Sequence, residues 1–329
     1  ATHKRVLLGL EIAVDCLRLV AVSLSGVVLG QSEIALDDRR PANACQLAVT
    51  LLGQHLRQLE QQQLLLSGVG VCLPGAIDAA TGMVRLAPNL GWRDVPFLDL
   101  LTAGCASQGI TRSEGAGARS EMLTAECASR GITAVPIHLQ NDADSAAVGE
   151  YEFGSGSTGD ITGSSGANPL IFVNCDVGVG AGIVLNDRLY TGFLGAAGEI
   201  GHSILQVNGP LCSCGRRGCA EAFVGARVLQ QQGGAQQAGH YLGMVLQNLD
   251  ATFNPRVIVL GGRSIMENPG LLDAACQAQL AYAQTAGMQA PVVRATRFGL
   301  QAAAVGAAAL VLHQFLRPLL KETRDVPGY

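Results

Sequence analysis

Three cysteines, Cys212, Cys214 and Cys219, fall within eight residues, and His202 stands ten positions before the first of them. No other stretch of the chain restricts its local fold as much. Four such donors close on one ion only if the segment doubles back on itself. A Cys₃His set is the ligand composition of a closed tetrahedral zinc site, and four protein ligands leave no position for water, so the Zn²⁺ expected here is structural. The intervening Gly-Arg-Arg-Gly supplies the tight turns, and Arg216 and Arg217 offset the charge of three thiolates. The competing reading is a set of free thiols beside a core histidine, which the clustered spacing disfavours.

The chain has 329 residues, enough for roughly two domains and for a core that needs neither disulfide nor metal as a staple. Its other seven cysteines are scattered through apolar or helical surroundings, which reads as reduced thiols in a cytoplasmic protein. No charged and apolar leader opens the sequence. Polar residues interrupt its apolar runs, so no membrane segment is expected. A net charge of −4 with only two lysines, Lys4 and Lys321, lacks the basic surplus of a nucleic-acid-binding domain.

The pattern along the chain is α/β. Residues 5–10, 17–24 and 27–36 read as three strands, followed by a helix over 44–66 whose Leu47, Leu51, Leu52, Leu56 and Leu59 recur at helical spacing. A buried strand then runs into the Pro74-Gly75 turn, and residues 83–92 read as a loop of the kind that forms binding surfaces, ending at the single tryptophan, Trp92. A further strand ends near Leu139, with a polar corner at Asn141-Asp142 and a helix from about Asp144. Strands at 169–175 and 181–185 flank Asp-Val-Gly-Val-Gly, with a hairpin turn at Asn186-Asp187. A buried strand leads to Gly261-Gly262, and a small-residue helix closes the pattern. Residues 154–168 read as a flexible Gly/Ser loop. Leu-Thr-Ala-Gly-Cys-Ala-Ser-Gln-Gly-Ile-Thr from Leu101 recurs almost verbatim from Leu123, a local duplication expected to extend the surface.

The segment from Gly198 to Phe223, together with "GVCLPGAIDAATGMV", "APNLGWRDVP", "QNDADSAAVGE", "GVGAGIVLNDRLYTG" and "NPRVIVLGG", resembles the ROK family of repressors, open reading frames and sugar kinases, in the family's order of blocks. The resemblance implies two ribonuclease-H-like α/β domains of the actin/hexokinase superfamily around a central cleft. The boundaries expected are 1–138 plus 301–329 for the first domain and 139–300 for the second, which carries the zinc. It puts a monosaccharide or sugar phosphate among Gly75, Asn89, Asn141, Asp142, Glu199, His202 and Glu221. Converging carboxylates and amides suit a ring of hydroxyls that both donate and accept. His202 would bind zinc through one ring nitrogen and offer the other to the sugar. Asp142 corresponds to the general base of the kinases, or it is simply the N-cap of the helix that follows.

On the nucleotide side the sequence departs from the family's pattern. The kinases carry Asp-Ile-Gly-Gly-Thr-Lys at the first turn, whose glycines let backbone N–H groups approach the ATP phosphates. Here Glu11 stands for the aspartate, Ala13 and Val14 for the glycines, and Asp15 and Cys16 for the threonine and lysine. Gly178, Gly180, Gly261 and Gly262 remain on the nucleotide side, but Asp176 adds a second carboxylate, so ATP and Mg²⁺ are expected to bind badly if at all. The expectation is a sugar-sensing effector domain of a ROK regulator, forming a homodimer or tetramer and reaching DNA only through a separate helix-turn-helix not found in this chain. The alternative is a glucokinase-like, ATP-dependent sugar kinase. A third reading is a sugar-binding domain with another output.

Overall fold

The first hairpin is apolar along nearly its whole length, as befits strands covered on both faces. In the computed structural model, β1 (Arg5–Ile12) buries every residue after Arg5, and β2 (Cys16–Ser23) every residue before Ser23. The structure describes residues 4–107, 111–112, 122–124, 135–154, 168–193, 195–230 and 233–316. β3 (Val28–Ala35) completes an antiparallel meander. α1 (Pro41–Gln61) follows and packs Leu51, Leu52 and Leu59 into the core. It starts three residues before the expected helix and ends five before it, because Gln63 takes a left-handed conformation and Leu65 already opens the next strand.

That strand, β4 (Leu65–Leu73), lies parallel to β1. Beyond it come β5 (Ala76–Asp78), β6 (Met83–Ala87) and β7 (Trp92–Val95), which form a separate antiparallel sheet. The binding loop expected at 83–92 is therefore two strands and the turn between them. Trp92 is 3% exposed, stacked on Phe97 at 5.1 Å, and donates its indole N–H to the Arg39 carbonyl at 2.6 Å. Its burial makes it a core anchor and not a binding surface. α2 (Phe97–Ser107), β8 (Thr111–Arg112), β9 (Met122–Thr124), β10 (Val135–Asn141) and α3 (Asp142–Phe153) follow, giving the sheet order β3-β2-β1-β4-β10-β9-β8. Most of the second copy of the duplication lies outside the described residues, as does most of the Gly/Ser loop.

A second sheet is built to the same plan. β11 (Leu170–Cys175), β12 (Val179–Leu185) and β13 (Arg188–Leu189) form the meander, turning through Asn186 and Asp187, both at positive φ. After α4 (Glu221–Val224), α5 (Ala226–Leu229) and α6 (Gly234–Phe253), β14 (Val257–Gly261) joins β11 in parallel. Then α7 (Arg263–Glu267) and α8 (Pro269–Ala286) lead to β15 (Val292–Ala295), giving the order β13-β12-β11-β14-β15. In both sheets three antiparallel strands are extended by parallel ones, as the α/β expectation requires.

The chain divides into residues 1–153 with 303–329 and residues 154–302. The end of β10 and all of α3, expected in the second domain, belong to the first unit. The last helix, α9 (Ala302–Val311), returns to that unit. Its backbone lies against the first sheet: a Cβ on Gly9 or Gly70 would collide with the carbonyls of Ala304 and Ala307. Only small residues allow so close an approach. The run Gly299–Leu316 is apolar and long enough to cross a membrane by composition, which corrects the expectation that no such run exists. Its residues 302–311 are buried as core.

Candidate metal centre and sugar-reading residues

The four predicted metal ligands come together. After a short 3₁₀ turn at Ile200–His202, the segment folds back through backbone bonds from Leu205 N–H to the Gly218 carbonyl and from Ala220 N–H to the Ser203 carbonyl, both at 2.8 Å. Cys212 N–H donates to the Arg216 carbonyl at 2.8 Å and closes the loop that carries Cys214. The donor atoms of His202, Cys212, Cys214 and Cys219 all lie within 4.8 Å of one another, an arrangement that can hold a metal ion. Cys214 Sγ is 3.8 Å from Cys219 Sγ, and Cys212 Sγ is 3.7 Å from His202 Nδ1. A tetrahedral ion with metal–sulfur bonds of about 2.3 Å has ligand-to-ligand edges of about 3.8 Å, so the donor set fits.

Arg216 Nε donates to Cys214 Sγ at 3.4 Å. The backbone and then the guanidinium of Arg216 pull the Cys214 thiol down to about 6, whereas burial and then the neighbouring thiols push Cys219 up to about 11. Arg217 turns instead to the Gly209 carbonyl at 3.5 Å. With Nδ1 facing Cys212, the other nitrogen of His202, Nε2, faces Glu199 Oε2 at 3.8 Å. Ser213 Oγ donates to Glu221 Oε1 at 2.6 Å, so a residue between two ligand cysteines orients Glu221 at the start of α4. Glu199, His202 and Glu221, predicted to read sugar, are thus all attached to the cysteine loop. Tetrahedral ligation would fix the imidazole ring and, through it, the direction of Nε2.

In the first unit Asn141 Nδ2 donates to the Gly75 carbonyl at 3.0 Å, and Asn141 Oδ1 accepts from Ala143 N–H at 2.8 Å and Asp144 N–H at 3.1 Å. Asn141 is therefore the N-cap of α3, the role weighed for Asp142. Asp142 is the first helical residue, with Oδ1 accepting from Ala143 N–H at 2.9 Å. Gly75 takes φ +120°, and a Cβ there would meet the Leu86 carbonyl and Ala87. Asn89 is exposed in the turn between β6 and β7, and its carbonyl accepts from Arg39 at 3.5 Å.

The altered first turn is closed, and the arginine beside it is paired with two carboxylates. Ala13 N–H donates to the Cys16 carbonyl at 2.9 Å around Val14 and Asp15. Directly across the hairpin, Arg18 pairs with Glu11 at 3.3 Å and with Glu33 of β3 at 2.7 Å. The Glu11 and Arg18 side chains are 8% and 9% exposed. Burial works against the Arg18 charge, but Glu11 beside it and the bond to Glu33 more than offset this and hold its pKa above the usual arginine value. Sequence reasoning passed over Arg18, although a two-residue turn at Val14-Asp15 puts residues 11 and 18 opposite each other.

In the second unit Asp176 N–H donates to the Gly178 carbonyl at 2.9 Å, Val177 is half exposed, and Gly180 lies in β12. Gly262, at φ +89°, has no room for a Cβ between the Cys175 carbonyl and Asn174, and one on Gly261 would strike the Phe172 ring. The diglycine is therefore required by packing, whatever it binds.

Two sheets, each with three antiparallel strands extended by parallel ones, and a Cys₃His cluster in the second unit define a two-unit mixed α/β chain. The chain belongs to the ROK family, whose model matches residues 105–238 and 232–314. It is 25% identical over 292 residues to the xylose repressor of Bacillus spizizenii, covering 81% of this chain and 66% of that protein. It is 27% identical over 290 residues to a glucokinase of Halalkalibacterium halodurans, covering 76% of this chain and 77% of that protein. The fold matches the ROK hexokinase of Thermus thermophilus with a TM-score of 0.71 at 23% identity, over 96% of this chain and 99% of that one. The chain thus spans slightly less than two thirds of the length of the xylose repressor, and its relatives include both regulators and kinases.

Proposed function

We propose that the chain is the sugar-sensing effector part of a ROK-type transcriptional regulator, with Zn²⁺ held by His202, Cys212, Cys214 and Cys219 as a structural ion. The observation that carries this reading is the Glu11–Arg18–Glu33 network beneath the first turn. Arg18 is already neutralised by two carboxylates, Val14 occupies the tip, and Asp15 adds an exposed negative charge, so the turn offers a triphosphate neither free cation nor open backbone. The second unit supplies Glu199, His202 and Glu221 to the sugar, and the zinc loop keeps their donors and acceptors in place. The resemblance to the family adds Asn141 and Asp142 to the residues proposed to read the sugar. The ligand is a monosaccharide or sugar phosphate, and the setting is cytoplasmic. DNA contact is assigned to a separate helix-turn-helix segment.

The second reading, an ATP-dependent sugar kinase, draws on the likeness to glucokinases and on Asp142, the counterpart of the family's general base. One experiment separates the two. Thermal melting against a sugar panel, with and without Mg-ATP, should show a sugar that raises the melting temperature by itself, since a ligand at 100 times its dissociation constant adds about 2.7 kcal/mol. Mg-ATP should add nothing, and Asp142→Asn should weaken the sugar shift. ATP-dependent phosphorylation of any sugar in the panel, lost in Asp142→Asn, would establish the kinase instead.

A further inference from the structure

The four ligands of the cluster are not equally protected. Cys212 and Cys219 are 5% and 0% exposed, whereas Cys214 stands at the surface, 3.8 Å from Cys219 Sγ and with the Arg216 guanidinium beside it. Cys16, Cys45, Cys72, Cys105 and Cys175 are all buried thiols. Among the described residues, Cys214 is therefore the thiol that combines exposure, a neighbouring cation and a second sulfur within reach. The turn between the two cysteines carries Gly215 and Gly218, both at positive φ, which lets the sulfurs approach without dragging a regular element.

We propose that Cys214 is an oxidation site, at which a hydroperoxide converts Cys214 and Cys219 to a disulfide and expels the metal. This rests on the reading that the cluster holds zinc. The Cys214 thiolate attacks the terminal peroxide oxygen, the O–O bond breaks, and the leaving oxygen takes a proton and departs as water or alcohol. The Cys219 thiolate then attacks the sulfenic sulfur of Cys214, the S–O bond breaks, and hydroxide leaves and is protonated to water. The two thiolates lose two electrons and the peroxide gains them. With both thiolates consumed, only His202 and Cys212 would remain to hold a zinc ion, too few donors for a closed tetrahedral site. Ser213, next to Cys214, holds Glu221 by its hydroxyl, so closing the disulfide also withdraws support from a sugar-reading carboxylate.

The test is a titration of the zinc-loaded chain with hydrogen peroxide, with a chromogenic chelator reporting free zinc and alkylation followed by peptide mass mapping. About one zinc per chain should be released, in step with loss of two hydrogens from the peptides holding Cys214 and Cys219, and dithiothreitol with added zinc should reverse it. Cys276→Ser, which removes a partly exposed thiol outside the cluster, should give the same curve. Zinc retained while peroxide is consumed overturns the proposal, as does zinc released with Cys214 taken to the sulfinic acid and Cys219 still open to alkylation. A purified chain that holds no zinc overturns the zinc reading itself before any peroxide is added.

Discussion

Arg18 is held by two carboxylates across the first hairpin. It lies between a buried and an exposed carboxylate, so truncation would remove the cation that Glu11 faces across the hairpin. Arg18→Ala should cost about 2 to 3 kcal/mol, less than a fully dry pair because Glu33 remains solvated, and urea denaturation at neutral pH would measure it. A loss within experimental error would mean that the pair is solvated. His138 makes a second, pH-dependent prediction. It is buried, its Nε2 has no hydrogen-bond partner, and burial lowers its pKa to about 4. A histidine depressed in the fold is held neutral there, so its contribution is complete above the unfolded value of about 6.5 and is lost as pH falls toward 4. Melting temperatures should fall through that window in the wild type and less steeply in His138→Gln. Of the individual residues, the convergence of His202, Cys212, Cys214 and Cys219 was legible from spacing alone. The cap weighed for Asp142 is made by Asn141, because the two residues are adjacent and equally good caps and only the backbone decides which side chain reaches the free N–H groups.

Among the elements, the strands were easier to read than the loops. Continuous apolar runs such as residues 6–10 and 257–260 mark buried strands directly. The β6–β7 pair was missed because Pro88, Asn89 and Gly91 sit in its turn and lend the whole stretch the composition of a loop. Trp92 buries its ring in the core from the second of those strands. The contact of α9 with the first sheet was half legible. Its small residues announced close packing, but their partners Gly9 and Gly70 lie more than two hundred residues earlier, and periodicity carries no information about such pairings. Gly70→Ala should therefore be far worse than an ordinary helix or strand substitution. The added methyl meets backbone rather than a yielding side chain, and a cost of about 3 kcal/mol or more in chemical denaturation is expected. Gly30→Ala in β3, where nothing lies within 4 Å of the added methyl, is the control and should change stability little.

For the molecule as a whole, the family blocks carried the mixed α/β fold. Assembly is the prediction that belongs to this scale. A regulator acting on a two-fold operator must itself be two-fold, so light scattering of the purified chain at micromolar concentration should give at least a dimer, and a clean monomer would count against the regulator reading. The course of the chain adds a consequence of its own. Because α9 covers the first sheet only after residues 154–302 have been made, the first unit cannot be completed before the second has been synthesised. During synthesis the first sheet emerges early and waits, with Gly9, Gly70 and Cys72 uncovered, while the uninterrupted second unit has all it needs to fold beforehand. In the order of synthesis, the half begun first is thus the half whose last element is made last.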